Sequence, residues 1–188
     1  MSSPFHILKH EHRIIERGLR ALDGVCARLE GGTNPTEGVP ASTLLEIIEF
    51  MVEFADGYHH GKEETVLFPA LERRGIPRED GPLGMMEYEH QVERELIGDL
   101  RLAASLYREG NSAAVNRFVE CAHAYLRLLV GHIEKEDSVL FRLGDEILDD
   151  NDKDLVVERF KQADVDSGGR SLQEFEKVAS DLEEKWAI

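Results

Sequence analysis

The sequence predicts an all-α protein, an antiparallel up-down four-helix bundle with a short C-terminal helical extension. Three observations predict it. Apolar residues recur at alternating steps of three and four through four long segments, and β-branched runs of period two are missing. Short stretches containing glycine and proline join the segments, which favours antiparallel neighbours. A phrase also occurs twice: His59-His60-Gly61-Lys62-Glu63-Glu64-Thr65-Val66-Leu67-Phe68 returns as His132-Ile133-Glu134-Lys135-Glu136-Asp137-Ser138-Val139-Leu140-Phe141. His, Lys, Glu and the Val-Leu-Phe tail fall in register, with a second acid after each Glu.

The first helix is expected over Pro4 to Leu29, with Leu8, His12, Ile15, Leu19, Leu22, Cys26 and Leu29 on its apolar seam and Gly31-Gly32 as its stop. Thr33 to Ala41 holds two prolines and a glycine and reads as a loop. The second helix is expected from Ser42 or Thr43, where Thr43 and Glu46 suit a capping box. Its seam is Ile48, Val52, Ala55, His59, Glu63, Val66 and Ala70, and it stops before Gly75, with Pro77 and Pro82 bracketing the next loop. The third helix, Leu83 to Arg108, carries Met86, His90, Glu93, Ile97, Leu100, Ala104 and Tyr107. After the Gly110-Asn111 turn, the fourth runs from Ser112 to Ile147 on Phe118, Ala122, Tyr125, Leu129, His132, Glu136, Val139 and Leu143. One seam per helix suits a bundle core.

Residues 1–148 thus form the bundle domain and 149–188 an extension. In the extension we expect a helix over Lys153 to Ala163, a Gly168-Gly169 break, and a last helix over Ser171 to Trp186 capped by Ser171 and Glu174. Phe160, Phe175, Leu182 and Trp186 are its expected contacts on the outside of the bundle.

A chain of 188 residues with 41% hydrophobic content can bury a sizeable core. A net charge of −16 argues against nucleic acid and anionic membrane as partners. No apolar run approaches membrane-spanning length and the N-terminus lacks a signal-peptide pattern, so the reading is a soluble, cytoplasmic protein. Cys26 and Cys121 sit in apolar helical patterns and read as buried free thiols.

His and Glu at i and i+4 lie on one helical face, one turn apart. Glu11-His12-Arg13-Ile14 also resembles Glu89-His90-Gln91-Val92, so each half of the chain supplies one Glu-His and one His-x-x-x-Glu. Folded antiparallel about an approximate twofold axis, the halves gather His12, His59, Glu63, His90, His132 and Glu136 around one centre. Burying so many ionisable groups is costly unless they are paired or coordinate a cation, so these six are the expected metal ligands. Other histidines are excluded by angle, at about 100° per residue. His123 and His10 point away from the seam, His60 is turned from His59, and His6 from His12. Tyr58 and Tyr125 read as packing residues.

Four imidazoles and two carboxylates, without thiolate, differ from the closed and often Cys-containing sites of structural zinc. They suit two metals bridged by Glu63 and Glu136, and the donor chemistry favours iron or manganese with positions left for a small ligand.

With these residues in view, the chain resembles the hemerythrin-like (HHE cation-binding) family. The resemblance is carried by Leu8-Lys9-His10-Glu11-His12-Arg13-Ile14-Ile15, by His59-His60-Gly61-Lys62-Glu63-Glu64 through Leu67-Phe68-Pro69, by Glu89-His90, and by His132 through Phe141. It implies a cofactor of two Fe ions, bridged by carboxylate and oxo or hydroxo groups. It also implies His12, His59, His90 and His132 as ligands and Glu63 and Glu136 as bridges. O2, NO or peroxide would be the small-molecule partner. Two departures stand out. Oxygen-carrying members use His-x-x-x-His on the third helix, where this chain has Arg94 four beyond His90; Glu93, on the seam, offers itself as a ligand or supporting acid. Their fourth helix uses His-x-x-x-x-Asp, which Asp137 fits, whereas Glu136 fits the repeat and is preferred. Both departures speak against simple oxygen carriage. The open readings are a binding, sensing or storage protein, an enzyme acting on peroxide, NO or iron, an iron-handling protein, and a purely structural metal bundle.

Overall fold

The structure is a computed structural model, and it describes residues 3–31, 38–111, 113–166 and 169–188. The first long helix is α1, Pro4–Gly31. The second is built of α2 (Ala41–Phe50), a π-helical stretch Met51–His60, a π turn Glu63–Leu67, and α3 (Phe68–Arg73). The third is α4, Pro82–Arg108. The fourth is α5 (Ala113–Lys135), a π turn Glu136–Leu140, and α6 (Phe141–Ile147). They pack as an antiparallel bundle, α4 against α5 and α2, and α1 against α5. Two further helices, α7 (Asp150–Asp166) and α8 (Leu172–Trp186), lie on its outside.

Every expected seam residue of the first helix is buried. In the third helix Ile97 is half-buried and the rest of the seam is buried. The expected Thr43 cap is corrected: α2 starts at Ala41 after Pro40, and Thr43 is buried inside its first turn. The expected seam of the fourth helix holds through Glu136 and then fails, because Val139 and Leu143 are exposed while Leu140, Phe141 and Gly144 are buried. The π turn explains this, since i→i+5 hydrogen bonding widens the turn and moves the inward face along by about one residue.

The expected loop at Thr33 to Ala41 lies outside the described residues over 32–37, and Gly168 and the expected helix start at Ser112 lie outside them as well. The last helix carries the full Ser171–Glu174 capping box. Phe160, Phe175, Leu182 and Trp186 are buried as expected. Helix α8 lies close on α1 where Gly24 has no side chain: a Cβ there would stand 1.9 Å from the Trp186 carbonyl oxygen. Arg28 donates to that same carbonyl, and Arg20 Nε donates to Glu183 at 2.6 Å.

The buried apolar residues form two clusters. One runs from Ile14 to Leu29 of α1, through Phe50 and Phe54, to Ile133 of α5. The other gathers Phe5, Leu8, Leu67, Phe68, Phe141 and Phe160. Between them on every long helix lies a polar stretch: His12, His59 to Glu63, His90 to Glu93, and His132 to Glu136. The core is therefore two apolar blocks with a polar layer between them.

Gly24→Ala should force α8 away from α1 and destabilise the fold by about 1–3 kcal/mol. Thermal denaturation would show this as a lowered midpoint; an unchanged midpoint would mean that α8 is not seated against Gly24.

Candidate metal centre

All six expected site residues meet in the polar layer, and all are fully buried. The support comes from outside. Each of the four expected histidines gives its Nδ1 to a carboxylate: His12 to Asp137 at 2.8 Å, His59 to Glu11 at 2.9 Å, His90 to Glu64 at 2.7 Å, and His132 to Glu89 at 2.9 Å. The pattern repeats across the halves. The acid five residues past each His-x-x-x-Glu histidine holds the histidine of the other half's Glu-His pair. The acid of each Glu-His pair holds the His-x-x-x-Glu histidine of its own half. A lysine three past that histidine completes each set, Lys62 to Glu11 at 2.7 Å and Lys135 to Glu89.

With each Nδ1 engaged by an outer carboxylate, each Nε2 faces the centre. His90 Nε2 and His132 Nε2 face each other at 3.1 Å. Two imidazole nitrogens approach this closely with a proton or a cation between them. His12 Nε2, His59 Nε2 and both oxygens of Glu63 and of Glu136 are buried without any hydrogen-bond partner. Unpaired polar groups of this kind are rare in proteins and costly. As a donor set they fit a cation, and the outer carboxylates are the supports that metal-binding imidazoles use.

The ligand atoms fall into two groups, each within 4.8 Å across: His12, His59, Glu63 and Glu136, and His60, His90, His132 and Glu63. Glu63 belongs to both. Glu136 also reaches across, with His12 Nε2 at 3.2 Å and His132 Nε2 at 3.3 Å from its Oε2. Asp137 is not in either group, because it holds His12 from outside.

His60 corrects the sequence reading, which turned it away from the seam. It is buried, its ring lies 3.9 Å from that of His90 and nearly parallel to it, and both its nitrogens lack partners. The angular exclusion assumed a regular α-helix, whereas Met51–His60 is π-helical, and there two adjacent histidines both reach inward. The doublet His59-His60, flanked by Gly57 and Gly61, was the available signal. His6 and His10 are exposed and His123 is half-buried, and none of the three belongs to either group.

Arg94, where oxygen-carrying relatives would have a further imidazole, points outward. It bonds Asp56 at 2.7 Å and Glu64 at 2.8 Å. The third imidazole of that group comes instead from His60 on the neighbouring helix. Glu93 stands beside it, buried, with Oε2 3.7 Å from His60 Nε2 and no hydrogen-bond partner for either oxygen. A cavity of about 210 Å³ lies against these residues, lined by Asp56, His60, Glu93, Arg94, Arg101 and Tyr125.

Burial and charge act on these groups in opposite senses. Burial pushes His59 and His60 well below the ordinary imidazole value. Burial also opposes protonation of His132, but the Glu136 charge outweighs it and raises His132 well above that value. Burial, then the Glu136 charge, raises Glu63 well above the carboxylate range. Glu136 is held well down despite burial, by the His132 charge and the close approach of His12 and His132. Burial pushes Glu93 up to about 8. The outer acids Asp137, Glu64 and Glu89 sit low because their hydrogen bonds to histidines outweigh partial burial. Cys26, pushed up to about 12 by burial, and Cys121 are free thiols in the apolar block, away from both groups.

Comparison with known proteins agrees with this geometry. Residues 3–143 match the hemerythrin HHE cation binding domain, and the chain belongs to that family. Three uncharacterized proteins, two from Mycobacterium tuberculosis strains and one from Mycobacterium bovis, are each 26% identical over 134 residues. That alignment covers 71% of this chain and 50% of each relative, so the chain spans about half the length of the curated relatives it matches. Among the described residues no helix is long and apolar enough to cross a membrane.

Glu63→Gln should stabilise the metal-free protein by about 1–2 kcal/mol. An amide is neutral without the proton that buried Glu63 must take up beside Glu136, and it offers N–H donors to His59 Nε2, which lies 3.5 Å from Glu63 Oε1. The check is the thermal midpoint after exhaustive chelation; a lowered midpoint would mean that Glu63 is already satisfied there.

Proposed function

We propose that this is a non-haem di-iron protein that binds O2, NO or peroxide in the core of the bundle, in sensing, storage, stress or iron handling, within a soluble, cytoplasmic chain. One observation carries the reading: buried, partnerless nitrogen and oxygen atoms converge in two adjoining groups that share Glu63, and carboxylates aim the imidazoles from outside. His12 and His59 would hold one iron and His90 and His132, joined by His60, the other, with Glu63 and Glu136 offered to both. The five imidazoles and two carboxylates favour iron over a thiolate-loving metal. Residues 149–188 act as a packed extension of this domain.

The bound irons would supply reversible or consuming one- and two-electron chemistry toward the small ligand. The residues prepare for it. Asp137, Glu11, Glu64 and Glu89 fix the tautomers and raise the basicity of the four histidines. Phe141, stacked on His12 at 5.4 Å, and the two apolar clusters keep bulk water from the layer. The cavity beside His60 gives a small molecule an approach between the second and third helices.

A specific observation favours a second reading, a di-iron enzyme with peroxidase, NO-consuming or ferroxidase activity. Turnover needs proton delivery, and the Glu93 carboxyl, held up to about 8 by burial, faces both His60 and the cavity.

The test is an iron count per chain followed by stopped-flow mixing of the anaerobic, iron-loaded protein with O2. Two irons and a reversible optical change support binding; rapid irreversible oxidation supports the enzyme; tight zinc with no iron sinks both. Glu63→Ala should reduce bound iron from two toward one or none, and retention of both with an unchanged spectrum would remove Glu63 from the ligand set. Glu89→Gln should weaken iron binding by about 10–100-fold, because the acceptor that orients His132 loses its charge; equilibrium competition with a chelator measures this.

A further inference from the structure

The family match ends at residue 143, yet a side chain beyond it reaches the supports of the metal layer. Asp164 of α7 has Oδ1 2.7 Å from Lys62 Nζ. Lys62 Nζ is 2.7 Å from Glu11 Oε1, and the other Glu11 oxygen accepts from His59 Nδ1 at 2.9 Å. Three contacts therefore connect the extension to an imidazole of the His12, His59, Glu63 and Glu136 group. Lys62 is buried at 2% exposure, with its ammonium 3.6 Å above the Tyr58 ring.

The other half of the molecule is its own comparison. There Lys135 bonds Glu89, and Glu89 accepts from His132, in the same order. Among the described residues Glu89 is the one carboxylate paired with Lys135, and Lys135 is 44% exposed. Among the described residues the second acid on the lysine exists on one side alone, and the extension brings it.

We propose that Asp164 is a positioning residue for the His12/His59 metal site, tying the C-terminal extension to the occupancy of that one site. The inference rests on the two-metal reading of the centre. Its physical basis is the sharing of one ammonium between two carboxylates. While Asp164 takes part of the Lys62 charge, Glu11 remains a strong acceptor for His59 Nδ1–H. The stronger that hydrogen bond, the better a donor Nε2 becomes toward a cation. Without Asp164 the ammonium belongs to Glu11 alone. The bond to His59 weakens, and one negative charge leaves that side of the layer. Both changes loosen the metal held by His12 and His59, and neither acts on the His90/His132 side.

The test uses the full chain and its Asp164→Asn, Asp164→Glu and Lys135→Met variants, loaded anaerobically with ferrous iron. Iron per chain is counted, its release to excess ferrous chelator is followed in time, and the thermal midpoint is taken without iron. In Asp164→Asn, half of the iron should leave about tenfold faster, the low end of what lost outer supports cost, while the other half keeps the wild-type rate and the metal-free midpoint stays near wild type. Asp164→Glu should restore the slow release. Lys135→Met should leave the His12/His59 half at its wild-type rate. Unchanged release in Asp164→Asn overturns the proposal, and so does equal acceleration of both halves with a lowered metal-free midpoint, which marks a merely structural contact. A wild-type chain that takes up no iron overturns the two-metal reading, and this proposal with it.

Discussion

Everything in this bundle is arranged around one constraint: four imidazoles must aim Nε2 into the same dry layer. A histidine free to choose would turn its ring away. Four carboxylates remove that choice by occupying Nδ1. Each comes from a different long helix than its histidine, so the supports also lock the helices in register. The result is costly as a protein interior, with partnerless atoms between two apolar blocks. Such an arrangement makes sense when a cation is the missing partner.

Much of this was legible in the chain. The seams of the first and third helices are set by α periodicity, which those helices obey, and the doubled His-x-x-x-Glu phrase located the layer on the other two. The preference for Glu136 over Asp137 followed from the repeat, and the geometry places Glu136 inside and Asp137 behind His12. Three of the misreadings share one cause. His60, Val139 and Leu143 were all read with an α-helical period, and all lie in or after π-helical turns. A change in helical pitch leaves little trace in the identity of the residues. The outer lysines and acids were missed for a different reason: their roles depend on which helix faces which, a property of the packing.

The twofold likeness of the halves is close in the supports and broken at the ligands. His60 corresponds in the repeat to Ile133, and Glu93 to Ile15, both apolar and buried. One side of the layer is therefore lined by isoleucines, the other by His60, Glu93 and a cavity. Arg94 closes that polar side by pairing with Asp56 and with Glu64, the residue that also holds His90. Access and ligand orientation thus meet in one carboxylate, and ionic strength can act on both through it.

The hydrogen-bond partners also impose an order of assembly on the growing chain. Glu11 precedes His59, Glu64 precedes His90 and Glu89 precedes His132, so three imidazoles find their acid already synthesised. His12 does not: its acid, Asp137, lies 125 residues downstream. During synthesis the first half can align His59 but leaves His12 unoriented, so a cation captured then would meet an incomplete set of donors. The set of donors is complete only when the fourth helix, which carries His132, Glu136 and Asp137 together, has left the ribosome.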